Sequence, residues 1–244
     1  MKKSLFAILL LALLPVQAAF AEPRSEVVRV DVPANKTAQN ELPAAMRREL
    51  ERAMALVRNH QTAEAMPLLN RLVGQADAEL RRHKNVRAAG NRVHTLRLLL
   101  EAANSGRDTE VVSSEWLMPR YVRAFVYVEQ QNYDAAAKDL DAILKIAPYE
   151  PQFLSERGQV ANAQKDFATG EKILTRLLEA GEALPDKAQS TYFQGLALRG
   201  LGYAAIERKQ WSAAEQYYRR ALKLNPKDRA AQNELMLVLE NQKK

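Results

Sequence analysis

The residue types that most often carry chemistry are few in this chain, and their spacing does not suit a metal site or a reaction. The three histidines are His60, His83 and His94, and there is no cysteine. His83 and His94 fall on one stripe of a predicted helix with Arg87 between them, and a cation at that place opposes metal binding. We therefore predict surface histidines, no metal site and no cofactor.

Carboxylates occur as close pairs, Glu49 with Glu51 and Asp139 with Asp141. Side chains two residues apart on a helix point about 200° apart, so the members of a pair cannot act together as general acid and base. The chain also lacks the Gly-x-Ser-x-Gly turn of serine hydrolases and a glycine-rich phosphate loop. No catalytic residue is predicted, and we expect that the chain is not an enzyme.

Positive charge is concentrated in one region. The formal net charge is +7, and residues 47–97 hold eleven bases and five acids, a balance of +6. Helical periodicity over residues 80–104 places apolar residues on one face, namely Val86, Ala89, Val93, Leu96 and Leu100. The basic patch on the other half of this helix consists of Arg81, Lys84, Arg87 and Arg92.

Two interpretations of this basic patch stay open. It is either a solvated helix face or a contact for an acidic partner, an anionic membrane surface or another polyanion. Nucleic acid is not expected, because residues 81–97 contain no Phe, Tyr or Trp ring on which a base could stack. The features of the N-terminus that predict export also count against nucleic acid.

The first residues have the layout of a signal peptide. Two lysines precede an apolar stretch, residues 5–14, that is too short to span a bilayer. Cleavage is expected after Ala18 or Ala21, which makes residues 1–21 the signal peptide and the mature chain periplasmic. A retained N-terminal anchor is the alternative. Without cysteine the protein is not a lipoprotein, and no later segment is apolar enough to cross a membrane.

Residues 22–42 are mixed polar residues with two prolines and no helical periodicity, which predicts a flexible linker. From Pro43 onward the chain is helical in pattern and contains repeats. One set of positions comprises Trp211, Ala214, Tyr218, Ala221 and Pro226, and each has a counterpart at one constant offset earlier in the chain, at Tyr133, Ala136, Leu140, Ile143 and Pro148. A third set with the same internal spacing lies between these two, at Phe167, Gly170, Leu174 and Leu177.

The earliest set and the third set differ by a period of roughly 34 residues, which is typical of stacked helical repeats. Each copy has an earlier helix with small residues, such as Gly158 and Gly202, where a second helix can approach closely. A proline after most second helices ends them. The fold class predicted is all-α, an α-solenoid of stacked antiparallel helix hairpins.

These spacings resemble the tetratricopeptide repeat family. The similarity is closest in residues 195–228, where Leu201-Gly202 precedes Trp211 and the other residues of that set. The resemblance implies a repeat domain over 43–244, with copies at about 46–79, 117–150, 151–184 and 195–228, a degenerate copy at 80–116 and a capping helix at 229–242. Members of this family bind partner proteins, and no catalytic residue comes with the resemblance.

In this family the first helices of successive repeats line a concave groove. The resemblance therefore implies a partner-binding groove, whose predicted residues are Tyr121, Phe125, Val128, Gln152, Gln159, Asn162, Arg199 and Tyr203. Aromatic rings beside amides suit an extended peptide or a short helix. The alternative is that Tyr121 and Phe125 pack beneath a neighbouring helix. Because they occupy the places of the basic clamp of cytosolic chaperone-binding members, that class of partner is disfavoured.

The functional expectation is a non-enzymatic scaffold or adaptor of the cell envelope, in pilus, secretion or surface-polymer assembly. Its partner would be another envelope protein or peptide held in the groove. The alternative is a binder of polyanions or anionic membrane surfaces that uses residues 81–97. The sequence leaves the oligomeric state open.

Overall fold

The computed structural model describes residues 41–242. The predicted signal peptide, and the predicted linker up to residue 40, lie outside the described residues. The described α-helices, in chain order, are α1 (Ala44–Arg58), α2 (Thr62–Leu80), α3 (Arg92–Ser105), α4 (Met118–Glu129), α5 (Tyr133–Ile146), α6 (Pro151–Ala163), α7 (Phe167–Glu182), α8 (Lys187–Glu207), α9 (Trp211–Leu224) and α10 (Arg229–Gln242). Two short strands, β1 (Arg87–Ala89) and β2 (Val111–Ser113), flank α3, and a 3₁₀ helix, Ser114–Leu117, precedes α4.

The helices form consecutive pairs, as the all-α prediction requires. The pairs are α1 with α2, α4 with α5, α6 with α7 and α8 with α9, and α10 packs on α9. Their turns share one feature, a left-handed residue between the two helices of the pair. These residues are His60, Gln131, Lys165 and Lys209, with φ from 57° to 62°. A recurring left-handed turn reverses the chain after each first helix.

The residues that set the repeat lie in the core. A Cβ on Gly202 would lie 2.6 Å from Cζ of Tyr218, so α8 and α9 approach each other only because this position has no side chain. Gly158 meets Leu174 of α7 in the same way, at 2.5 Å from its Cδ2. The small first-helix residue and the large second-helix residue therefore form one contact that repeats along the chain.

The sequence has an insertion between the third and fourth pairs, and it extends a helix. The repeat positions that begin at Phe167 and those that begin at Trp211 are further apart than one repeat, which places the extra residues at 181–190. In the structure α7 continues to Glu182, and α8 begins at Lys187 and runs for 21 residues. Asp186 caps α8 by accepting a hydrogen bond from the Gln189 amide at 2.7 Å. The inserted residues thus lengthen the first helix of the last pair.

Residues 80–116 differ from the expected degenerate copy and from the predicted helix over 80–104. They form β1, α3 and β2, and the two strands pair in parallel with Ala88 opposite Val112. The helical periodicity is interrupted because Asn85 has a left-handed φ of 48° and Asn91 is extended. Asn91 then caps α3, since its side chain accepts a hydrogen bond from the His94 amide at 2.9 Å.

With β1, α3 and β2 in the place of a hairpin, α2 packs directly on α4. Asp139 of α5 accepts hydrogen bonds from Arg120 at 2.8 Å and from two nitrogens of Arg123 at 2.7 Å. Arg120 also pairs with Asp77 of α2, and Arg123 donates to Asn70 at 2.9 Å. A buried carboxylate thus joins the first two pairs through both arginines.

Within residues 41–242, no helix is both long and apolar enough to cross a membrane.

Candidate functional site

The predicted groove residues lie on the first helices of three successive pairs, α4, α6 and α8. Tyr121 and Phe125 are buried, with 5% and 7% of their surface exposed, and Val128 is buried as well. The Tyr121 ring packs on Phe153 of α6 with centroids 5.3 Å apart. These α4 side chains therefore contact a neighbouring helix, and their part in partner binding stays a prediction.

A polar cluster forms where α4 meets α6. The Gln152 side chain donates a hydrogen bond to the Tyr121 hydroxyl at 3.1 Å. Glu156, one turn further along α6, is buried and interacts with the same hydroxyl. Burial raises the pKa of the Glu156 carboxyl to about 7, and the hydrogen bond with Tyr121 offsets part of that shift.

Two tyrosines near the Glu156 carboxyl have raised pKa values. Burial raises the pKa of Tyr121 well above its usual value, and the Glu156 charge adds to that shift. Tyr192 of α8 also has a raised pKa, first through burial and then through Glu156. No ion pair to Glu156 occurs in the part of the chain that the structure describes. The cluster therefore consists of the Glu156 carboxyl, whose pKa is about 7, and uncharged side chains that can form hydrogen bonds.

The remaining α6 residues of the predicted groove differ in their availability. Gln159 is partly exposed and donates to the Ser155 hydroxyl at 3.1 Å. Asn162 is buried, and its amide nitrogen donates to the Gly200 carbonyl of α8 at 2.9 Å. Its Oδ1 atom has no hydrogen-bond partner. Asn162 thus joins α6 to α8, whereas Gln159 can contact a ligand.

The two predicted α8 residues are partly exposed. Arg199 pairs with Asp228, the residue that caps α10, so it fixes the last helix to α8. The rings of Tyr203 and Phe167 pack edge to face, with centroids 6.5 Å apart. Of the two, Tyr203 retains a surface that a partner could cover.

The basic patch does not lie on one helix face. Arg81 follows the end of α2, Lys84 lies in the next loop, Arg87 is on β1, and Arg92 begins α3. Arg87 donates to the Lys145 carbonyl at 3.3 Å, so this side chain is fixed to the end of α5. Because the predicted helix is interrupted at residues 81–91, the four residues are spread over different elements. Whether they bind anything stays a prediction.

The prediction of surface histidines is wrong for His94, which is 2% exposed. Its Nδ1 lies 3.1 Å from an oxygen of Glu150 and 3.0 Å from the side-chain nitrogen of Asn91, and its Nε2 is buried without a partner. The side chain is covered because α3 packs on the residues before α6. His83 contacts Glu110 at 2.7 Å. Residues 41–242 contain no group of three potential metal ligands.

Sequence reasoning missed Glu156 and Tyr192 as members of the site. Glu156 is four residues after Gln152 and three before Gln159, so helical spacing places it on the same stripe of α6. That spacing could have identified it, whereas its burial depends on the packing of α4. Tyr192 lies two residues after the insertion, and nothing in the sequence indicates that α8 would begin within the insertion and include Tyr192.

Two segments match the family model of the tetratricopeptide repeat, residues 121–185 and residues 195–228. No curated protein matches the chain significantly. Among solved structures, the first TPR of Spaghetti (RPAP3) bound to the HSP90 peptide SRMEEVD is 21% identical, covers 52% of this chain and 94% of its own, and has a TM-score of 0.46. The MamA RS-1 ArsTM double mutant is 17% identical, covers 64% and 97%, and has a TM-score of 0.35.

The first matched segment contains most of α4 and all of α5, α6 and α7, and the second contains most of α8 and all of α9. The contacts of Gly158 with Leu174 and of Gly202 with Tyr218 lie within them. Tetratricopeptide repeats form modules for protein–protein interaction and are in general not catalytic. Residues 121–185 and 195–228 are therefore tetratricopeptide repeats, and the chain is a repeat protein of this kind.

Proposed function

We propose that the chain is a non-enzymatic scaffold or adaptor of the cell envelope, active in pilus, secretion or surface-polymer assembly. It binds a peptide or short helix of a partner protein along the face of α4, α6 and α8. The location rests on the signal-like segment at residues 1–21. The binding role rests on the family and on the hydrogen-bonding groups that this face presents.

The observation that carries the proposal is the cluster of Gln152, Tyr121 and Glu156. Amide side chains can bond the backbone of an extended segment, and Gln152 and Gln159 are both partly exposed on α6. Glu156 lies between them without a cation in the described residues. A basic side chain of the partner would supply that charge and stabilise the ionised carboxylate. The preferred segment is therefore an extended peptide with a lysine or arginine.

Site-specific photocrosslinking in cells tests the face. A photoreactive residue at Gln159 is expected to form an adduct with one envelope protein, and the same residue at Lys172, exposed on α7, is expected not to form it. Adducts of equal yield from both sites, or from neither, would count against the groove. A peptide of the captured protein should then bind the full chain, and replacing its basic residue with glutamine should weaken binding about tenfold.

The location has a separate test. N-terminal sequencing of the protein from the periplasmic fraction is expected to begin at residue 19 or residue 22, which corresponds to cleavage after Ala18 or Ala21. Unprocessed protein in the cytoplasmic fraction would refute export and leave the groove proposal to the crosslinking experiment.

A further inference from the structure

Helix α3 exposes a row of large apolar side chains. Val93, Leu96, Leu99 and Leu100 are 42%, 51%, 40% and 55% exposed. They make up half of the large hydrophobic residues that are exposed in residues 41–242. Such residues are ordinary when scattered, but a contiguous set on one element marks an interaction surface.

The spacing of this row is that of a helix–helix seam. Val93, Leu96, Leu100 and Ala103 follow one another at three, four and three residues, and all four are exposed. Side chains at this spacing form one narrow stripe along a helix, which fits a second helix better than a flat surface. We call Val93, Leu96, Leu100 and Ala103 the α3 seam.

The opposite face of α3 is already occupied. His94 and Leu98 are buried, and α3 packs through this face on β1, β2 and the residues before α6. The Arg97 guanidinium lies 3.7 Å from the centre of the Tyr149 ring and pairs with Glu101. Because α3 is held from behind, the α3 seam cannot turn inward without breaking these contacts.

Charge identifies the kind of helix that fits. Residues 80–107 hold seven bases and one acid; Arg97 pairs with that acid, Glu101, and Arg82 pairs with Glu79. Arg97 borders the α3 seam, and Arg107 follows the end of α3. A partner helix with acidic residues beside its own apolar stripe would complement this border. We propose that the α3 seam binds an amphipathic helix of another protein, whose apolar stripe is flanked by acidic residues.

A second copy of this chain fits less well. It would bring the same basic border to the contact, and like charges on facing helices repel. The seam also offers only on the order of a few hundred Å² of apolar surface, below the ~800 Å² per partner of a standard stable interface. The contact therefore belongs to the weak, transient class of interfaces.

The experiment uses three synthetic amphipathic helices with the same leucine stripe and with glutamate, glutamine or lysine beside it. Fluorescence anisotropy measures their binding to the full chain. We expect the glutamate peptide to bind about tenfold more tightly than the lysine peptide, with a difference that shrinks as salt is raised. The variant Leu96→Asp/Leu100→Asp should weaken binding at least about tenfold, and Met236→Asp, on exposed α10, should not.

Circular dichroism confirms that both variants fold, which we expect because all three substituted residues are exposed. Equal binding of the three peptides, or no loss in the Leu96/Leu100 variant, overturns the proposal. Concentration-dependent dimerisation that the same variant abolishes would assign the seam to a second copy. Flotation with vesicles that contain phosphatidylglycerol, abolished by the same variant, would assign it to a lipid surface. Either result replaces the helical partner.

Discussion

Replacing Glu156 with glutamine should remove a pH dependence of stability that comes from one buried carboxyl. In the folded chain its pKa is about 7, whereas an unburied glutamate has 4.5. The folded state therefore holds this proton more tightly than the unfolded state does. The stabilisation from the neutral carboxyl is complete below pH 4.5, is lost as the pH rises towards 7, and does not change further above that.

The magnitude follows from the difference between the two pKa values. One pKa unit corresponds to about 1.4 kcal/mol, so ionising Glu156 in the fold costs roughly 3 kcal/mol above pH 7. Glutamine keeps the size of the side chain and cannot ionise. The variant Glu156→Gln should then match the wild type near pH 4.5 and exceed its free energy of unfolding by roughly 3 kcal/mol at pH 8.

Urea unfolding followed by circular dichroism, repeated at pH 5, 6, 7 and 8, measures this difference. Glu182→Gln is the matched control, because Glu182 is exposed on the last turn of α7 and its replacement should leave the pH dependence unchanged. A constant offset between Glu156→Gln and wild type at all four pH values would refute the burial of an ionisable group at this position. So would an equal effect of the control.

Two further pairs of variants test the packing. Gly202→Ala places a methyl group 2.6 Å from the Tyr218 ring and should lower the free energy of unfolding by about 1–3 kcal/mol. Gly74→Ala meets no atom within 4 Å and should raise the free energy of unfolding by about 0.5–1 kcal/mol. Urea unfolding distinguishes the two signs. Asp139→Asn should lower the free energy of unfolding by about 3 kcal/mol, because two arginines lose a buried partner. Asp141 is half exposed, so Asp141→Asn should lower it by about 1 kcal/mol or less. Similar losses at both positions would contradict the stabilising role of the buried Asp139 ion pairs.

The repeat fold could be predicted because one contact recurs. Small residues such as Gly202 can be recognised in the sequence together with the large residue that they face, since both recur with the same repeat period. The paired helices and the fold class followed from that period. The carboxylates two residues apart also diverge as helical geometry requires, because Asp139 turns to Arg123 and Asp141 to Arg157.

The segment around α3 could not be predicted in the same way. Apolar spacing over 80–104 continues across Asn85 and Gly90, but helical spacing carries no information on backbone conformation at a single residue. Asn85 adopts a left-handed φ and Asn91 starts a new helix, so the periodicity spans a strand and a helix. Of the apolar residues in this pattern, Ala89 is buried on β1, whereas Val93, Leu96 and Leu100 lie on the exposed side of α3.

The burial of Glu156 could not be predicted from the sequence either. On α3 apolar residues are exposed, whereas here a charged residue is buried. A charged residue between two glutamines is expected at a surface, and it is buried only because α4 brings Tyr121 over it. Residue type predicts burial on average, and the exceptions are set by which helices meet. Two of the exceptions in residues 41–242, the exposed α3 seam and the buried Glu156 carboxyl, lie at the surfaces proposed to bind partners. Interaction sites are where a sequence departs from the rules that stabilise its fold.

The two proposed surfaces require partners of opposite charge. The α6 face offers a carboxyl that a basic side chain would satisfy, and the α3 seam has a basic border that acidic residues would complement. A single short segment cannot meet both demands, so the surfaces should bind different segments. If they belong to two proteins, the chain connects them, which is what an adaptor does. Charge reversal at Arg97 should then weaken only the α3 partner, and Glu156→Gln only the groove partner.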